Sequence, residues 1–316
     1  MKKKDYETFK NDFMILLQAA MGEEFSLALC QVTKVNVGKL DTVHICKTSE
    51  NETQKLNFYL QSLYAEYTDG KRLGDLVEEV KKLYLVKSRH PENVSCDGLG
   101  LYENVRKRIL FRVINTERNE EFLSQIPHRN VVDLSIFYCI LMIEGDGEIG
   151  TVRVDNQMMQ RWGVSEETLF EDAKINMAKK MPVSCKSLFG LVEHLMKKDS
   201  CFNEIDWENV RNNGEPVVLT NSQGINGFGS VFYDGVLDMI ARRMGADRLY
   251  IIPSSLHESL LFSDIHSSYS VKELKEMVTE VNRACVSEED FLSDSVYVYQ
   301  ADRKKLEIAK EEEAYV

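Results

Sequence analysis

The chain has 316 residues, with 39 basic and 51 acidic side chains and a formal net charge of −12. Hydrophobic residues make up 43% and charged residues 28%, a globular balance with material for one large domain or two ordinary ones. Five prolines and seventeen glycines exclude long fibrous or low-complexity stretches, and the acidic balance disfavours nucleic acid, whose phosphates need clustered Lys and Arg.

Three lysines precede an apolar stretch at the N-terminus, but Asp5, Glu7, Asp12 and Gln18 interrupt any export-signal pattern. Phe9, Phe13, Leu16, Leu17 and Ala20 instead form a helical stripe. Phe25 to Val37 and Leu40 to Lys47 alternate about Gly38, which predicts a hairpin turning there. In that register Cys30 faces Cys46, with His44 two residues along on the same face. A zinc ion would need a fourth ligand that the hairpin does not offer, so no metal is expected.

Leu60, Leu63, Tyr64 and Tyr67 predict a helix closed by Gly70, and Leu73, Leu76, Val77, Val80, Leu83 and Tyr84 predict another. Residues 89–100 break the periodicity and read as a linker. The division expected is a helix and hairpin region over 1–95 and a larger region over 96–316. A helix through Val105 and Ile109 opens the second region. Val131 to Ile143 reads as one β-branched and aromatic strand, the EGDGE of 144–148 as a turn, and Gly150 to Val154 as a second strand.

Ser165 caps a helix whose first turn holds Glu166 and Glu167. Leu188, Leu191, Leu195 and Met196 mark another helix. Strands follow at Val217 to Thr220 and Gly229 to Tyr233, a helix at Val236 to Met244, and a strand at Leu249 to Ile252. After Pro253 to Ser255 the extended pattern resumes over Leu256 to Phe262. Leu274, Met277, Val278 and Val281 give a last helix, Val296 to Tyr299 a short strand, and the acidic end a solvated helix or tail. Strand pairs followed by helices at 131–177 and 249–285 suggest a degenerate ββα repeat. The fold class expected is α+β.

Seven cysteines with no CxxC spacing fit reduced thiols, and the longest apolar run, Val131 to Ile143, is too short to span a bilayer and contains Asp133. A cytoplasmic protein without membrane contact is expected. The glycines of GINGFG (224–229) match neither GxGxxG nor GK[ST] and lie between two strand patterns, so no nucleotide or other cofactor is expected.

IPHRNVVDLSIFY (126–138), the LTN of 219–221 with Gly227 and Tyr233, IPSSLHE (252–258) and the SDxVYxY pattern of 293–299 resemble an uncharacterised domain-of-unknown-function family of anaerobic gut Firmicutes. That resemblance implies a bacterial, intracellular protein and carries no catalytic residue with it.

Six residues are candidates for chemistry. Ser255 and His257 are two apart, and an extended strand would set both on one face, with Ser254 and Glu258 close by. A hydrolase would need the Ser hydroxyl on the imidazole, a carboxylate (Glu258 or Asp133) to orient the ring, and oxyanion donors; GxSxG is absent. His128, between Pro127 and Arg129, reads as a loop cap, and Asp133 as a carboxylate paired with Arg129 or Arg153. Thirteen tyrosines and fourteen phenylalanines, with FYLQSLYAEY at 58–67 placing aromatics on more than one helix face, point to a possible protein partner. The reading favoured is a non-catalytic protein- or ligand-binding protein, the alternative a small hydrolase using 254–258.

Overall fold

The structure is a computed structural model describing residues 3–47, 58–88, 98–145, 148–197, 205–265 and 269–311. The chain divides into two compact units, one of Met1–Leu99 with Gly145–Glu148, the other of Gly100–Glu144 with Ile149–Val316. Each is a mixture of antiparallel sheet and helix, so the fold is α+β.

In the first unit, α1 (Tyr6–Met21) starts where Asp5 accepts the Thr8 N–H at 2.9 Å. Phe9, Phe13, Leu17 and Met21, four apart, form its buried stripe. Leu16, expected inside, is exposed, because a spacing of four keeps the stripe on the 9–13–17–21 line. The hairpin of β1 (Phe25–Lys34) and β2 (Gly38–Lys47) is present, but its loop is Val35 to Val37 with Asn36 at φ +64°. The turn therefore lies ahead of Gly38. Cys30 faces Thr42, Cys46 faces Ser26, and His44 faces Ala28. Cys30 and Cys46 are thus four positions out of register, roughly 13 Å along the strand. β3 (Phe58–Tyr59) pairs with Thr42 and Val43. The sheet packs with α1, α2 (Leu60–Thr68) and α3 (Leu73–Ser88) around Phe13, Val43, Leu60 and Leu76. Phe58, Tyr64 and Tyr67 pack against that core, with the Tyr64 and Tyr67 rings each 5.2 Å from Phe9. Packing uses several of the aromatics that suggested a partner surface.

The second unit opens with α4 (Tyr102–Val105) and a 3-10 turn over Arg106–Arg108. Ile109 begins a strand, not a helical turn: β4 (Ile109–Asn115) is buried on both faces, and such a run has no period that marks it as extended. After α5 (Glu120–Leu123), β5 (His128–Val131) and β6 (Leu134–Gly145) make a hairpin. The single strand expected from Val131 is therefore split, with Val132 and Asp133 as its two-residue loop. β4 and β5 flank β6, and β7 (Glu148–Arg153) also pairs with it. Residues 146 and 147 of the expected EGDGE turn lie outside the described residues.

α6 (Asn156–Trp162) and α7 (Glu166–Lys180) follow, the latter capped by Ser165. A six-stranded antiparallel sheet then runs in the order β13-β12-β10-β11-β9-β8. Its strands are β8 (Val183–Ser187), β9 (Val217–Asn221), β10 (Arg248–Pro253), β11 (Ser259–Ser263), β12 (Tyr297–Gln300) and β13 (Lys305–Ile308). Interspersed are α8 (Leu188–Lys197), α9 (Trp207–Asn213), α10 (Val236–Met244) and α11 (Val271–Cys285). Gly229 to Tyr233, expected as a strand, lies mostly in a 3-10 turn over Gly227–Phe232. Part of the expected acidic helix or tail is strand β13. The two halves of the supposed repeat lie in different sheets, and the first carries an extra strand and an extra helix.

Candidate functional site

The hairpin β10–β11 has a five-residue loop, Ser254 to Glu258, closed where the Ser254 and Ser255 N–H groups donate to the Glu258 carbonyl at 3.2 and 3.4 Å. Ser255 and His257 are thus in a turn, not on one face of a strand; β11 starts at Ser259, later than the pattern suggested. The Ser255 hydroxyl oxygen accepts the His257 backbone N–H at 3.0 Å, a local bond of the kind that shapes serine turns.

Three segments converge on His257. The Asn226 N–H meets Nδ1 at 3.2 Å, and Nε2 lies 3.2 Å from Asp290 Oδ1. A main-chain N–H needs a lone pair, so the network places the imidazole proton on Nε2, donated to Asp290. Asp290 is itself held by Ser287, whose hydroxyl donates to Oδ2 at 2.8 Å. Thr220 donates to the His257 carbonyl at 2.8 Å, and the Leu256 N–H donates to the Asp290 carbonyl at 2.9 Å. Gly227 is what lets these segments close: a Cβ there would sit 2.0 Å from Thr220 Oγ1 and 2.3 Å from the His257 carbonyl oxygen. Both imidazole nitrogens are occupied, and the carboxylate on the ring is Asp290 instead of Glu258 or Asp133.

Asp133 lies elsewhere in this unit and pairs with neither Arg129 nor Arg153. Its Oδ2 accepts from Ser293 at 2.6 Å and Ser295 at 2.9 Å, and its Oδ1 from Tyr297 at 2.7 Å. Alternate residues of an extended segment face one way, so 293, 295 and 297 of the SDxVYxY pattern present three hydroxyls to one carboxylate. Burial, and then the charge of Asp133, push the Tyr297 phenol far above its ordinary value. Val132, before it, sits at φ +54°, costly for a β-branched residue unless its surroundings fix it. Asp133 supplies that anchorage.

Arg129 instead reaches Glu166 Oε2 at 2.8 Å and also Glu167, and stacks 4.2 Å from the Phe170 ring centre. Tyr138 donates to the same Glu166. Arg153 stands over the Phe122 ring. His128 contacts the Ile126 carbonyl through Nδ1 at 3.0 Å, closing its own loop.

The residues 290–297 tie this unit together. Asp290 holds His257, and Phe291 lies 3.7 Å under the Arg118 guanidinium. Asn115 donates to the Leu292 carbonyl at 3.0 Å, and the buried Asn282 donates to the Ser293 carbonyl at 3.0 Å and the Asp294 carboxylate at 2.8 Å. Sequence reasoning missed Asp290 and Asn226. Asp290 ends the SEED of 287–290, which reads as a solvated acidic run, and Asn226 acts through its backbone, which leaves no side-chain signal. Among the described residues no three His, Cys, Asp or Glu side chains are grouped to hold a metal ion, and no helix is long and apolar enough to cross a membrane.

These sheets, hairpins and hydroxyl-bound carboxylates define an α+β protein whose quoted motifs sit at its structural junctions. The chain belongs to the family of unknown function DUF5688, whose model matches residues 6–301 and so takes in most of both units. No curated protein and no solved structure matches it.

Proposed function

We propose that the protein is a non-catalytic binding protein whose partner is another protein. The observation that carries this reading is the start of α8, where Phe189 and Val192, one turn apart on one face, are 63% and 41% exposed. The helix end that presents them is fixed twice: Ser187 Oγ accepts the Gly190 N–H at 3.0 Å, and Glu215 accepts the Phe189 N–H at 2.7 Å. A rigid apolar pair of this kind suits an interface centre. The engagement of Ser255 with a backbone N–H, and of His257 with Asn226 and Asp290, also supports a binder over a hydrolase. The reading places the protein in a bacterial cytoplasm and gives it no nucleic-acid partner, in keeping with seven scattered cysteines and a net charge of −12.

The test is the double variant Phe189→Asp with Val192→Asp. A protein partner co-purified with the parent chain and identified by mass spectrometry should bind the variant at least about ten-fold more weakly, with circular dichroism and Tm unchanged. The reading fails if no partner's affinity changes. It also fails if an esterase or peptidase activity disappears in both Ser255→Ala and His257→Ala with Tm unchanged, which would establish the hydrolase.

A further inference from the structure

The first unit's three-stranded sheet has two unlike edges. One is β3, two residues long. The other is β1, ten residues long and paired on one side only, with ten consecutive partners in β2. Among the described residues, the backbone of Ser26 to Thr33 makes no hydrogen bond outside that hairpin.

Edge strands are normally guarded by a charge, a proline, a bulge or very short length. β1 has none of these over Phe25 to Thr33: FSLALCQVT contains no charged residue and no proline, and its unbroken register leaves no bulge. Nine consecutive uncharged residues on a free edge stand out in a chain of net charge −12. At the strand's middle lies Leu29. It pairs with Val43, so it shares the face on which Val43 is wholly buried, yet Leu29 is 46% exposed. The helical layer covers β2 and stops short of the centre of β1.

We propose that β1 pairs antiparallel with β1 of a second copy of this chain, about a two-fold axis at Leu29. In that register Leu29 faces Leu29, Leu27 faces Gln31, and Phe25 faces Thr33, so residues on one face of one strand meet residues on the same face of the other. The second copy is the occupant that the charge pattern favours. Two chains of −12 repel, and an uncharged seam is where they can approach. The large exposed apolar side chain at the strand's centre, Leu29, is complementary to itself only under two-fold symmetry. The three strands become six, the free backbone groups of both edges are satisfied, and the exposed leucines cover each other. A seam of this kind buries less than the ~1,200 Å² of stable interfaces, so a dissociation constant on the order of 1–100 µM is expected. The inference rests on the first unit and is independent of α8.

Sedimentation equilibrium of the full chain over that concentration range tests it, beside Leu29→Lys and a crosslinking variant, Leu29→Cys with Cys30→Ser. The expected result is a reversible dimer, weakened at least about ten-fold by Leu29→Lys without loss of Tm, because the side chain is half exposed. Mild oxidation of the crosslinking variant should give a covalent dimer through position 29, since directly opposed Cβ atoms lie about 4.5–5.5 Å apart. A parent chain that stays monomeric overturns the proposal. So does a dimer that neither Leu29→Lys nor crosslinking at position 29 affects, or a β1 edge that binds a foreign strand while the chain itself remains monomeric.

Discussion

Asp41 and Asp133 solve one problem in two ways. Asp41, in β2, is 7% exposed and accepts from Gln31 at 3.0 Å, Tyr6 at 2.9 Å and the Lys10 ammonium at 3.3 Å. Its donors lie within 35 residues of it, and one carries a compensating charge. Asp133, in the β5–β6 loop, takes three neutral hydroxyls from 160 to 164 residues away and no cation. A half-buried carboxylate can therefore be held by hydroxyl donors alone, provided that they converge. The first arrangement assembles within one hairpin and its neighbouring helix. The second exists only once residues 293–297 have reached the β5–β6 loop, so Asp133 reports long-range closure of its unit while Asp41 reports local packing.

The largest expected effect separates them. Asp133→Ala should lower stability by about 2–4 kcal/mol, because it leaves the Ser293 and Tyr297 hydroxyls, 2% and 0% exposed, without their acceptor. Asp41→Ala should cost about 1–2 kcal/mol, since Gln31 is exposed and can turn to water. Urea titration of both variants checks the order. A greater loss for Asp41→Ala would break the comparison, as would an altered m-value for Asp133→Ala that signals a different folded state.

The sequence carried the first of these arrangements more clearly than the second. The 9–13–17–21 stripe, the Asp5 cap and the hairpin all follow from neighbours in the chain, and they emerge from periodicity and capping rules. What failed there was the turn: the loop is Val35 to Val37, ahead of Gly38 instead of centred on it, and the slip misplaced both cysteines. In the second unit two of the errors share a cause. β4 is buried on both faces, and Val131 and Val132 run on toward the apolar β6, so no alternation marks Ile109 as strand or the break at Val132. Asp133 was legible as a carboxylate needing a partner. Its partners were not, because serines and a tyrosine near residue 295 look like any polar strand end. At 254–258 the residues were visible, whereas Asn226 and Asp290 depend on tertiary closure around Gly227.

Acid should sharpen the contrast. The Gln31 amide, followed by the Tyr6 and Lys10 bonds, holds the Asp41 carboxyl below its ordinary range although burial pushes the other way. A folded-state value below the unfolded one contributes stability above the unfolded value, near 4, and loses it as pH falls through the folded one. Asp41→Asn should therefore differ from the parent chain at pH 7 and converge with it as pH falls through the lowered folded-state value. Thermal melts across that range check this, and a difference that persists undiminished in acid would rule out the ionised Asp41 as its source.

The smallest effects are expected in the 254–258 loop, where His257 makes the third carboxylate contact. Like Asp133 it is held by segments outside its own hairpin, Asp290 after α11 and Asn226 in the loop after β9. Unlike the Ser293 and Tyr297 donors it is partly exposed, its side chain retaining 38% of its accessible surface. If desolvation sets the cost of losing a partner, water can replace what His257 gave to Asp290 and Asn226, and His257→Ala should cost only about 1 kcal/mol. If the joining of separate segments sets it, the loss should approach that of Asp133→Ala. Ser255→Ala removes one local turn bond and should cost about 0.5 kcal/mol. Urea midpoints for the two variants, set beside Asp133→Ala, decide between these accounts. A His257→Ala loss equal to that of Asp133→Ala would mean that the joining of distant segments, more than the dryness of the donors, governs what each carboxylate contributes.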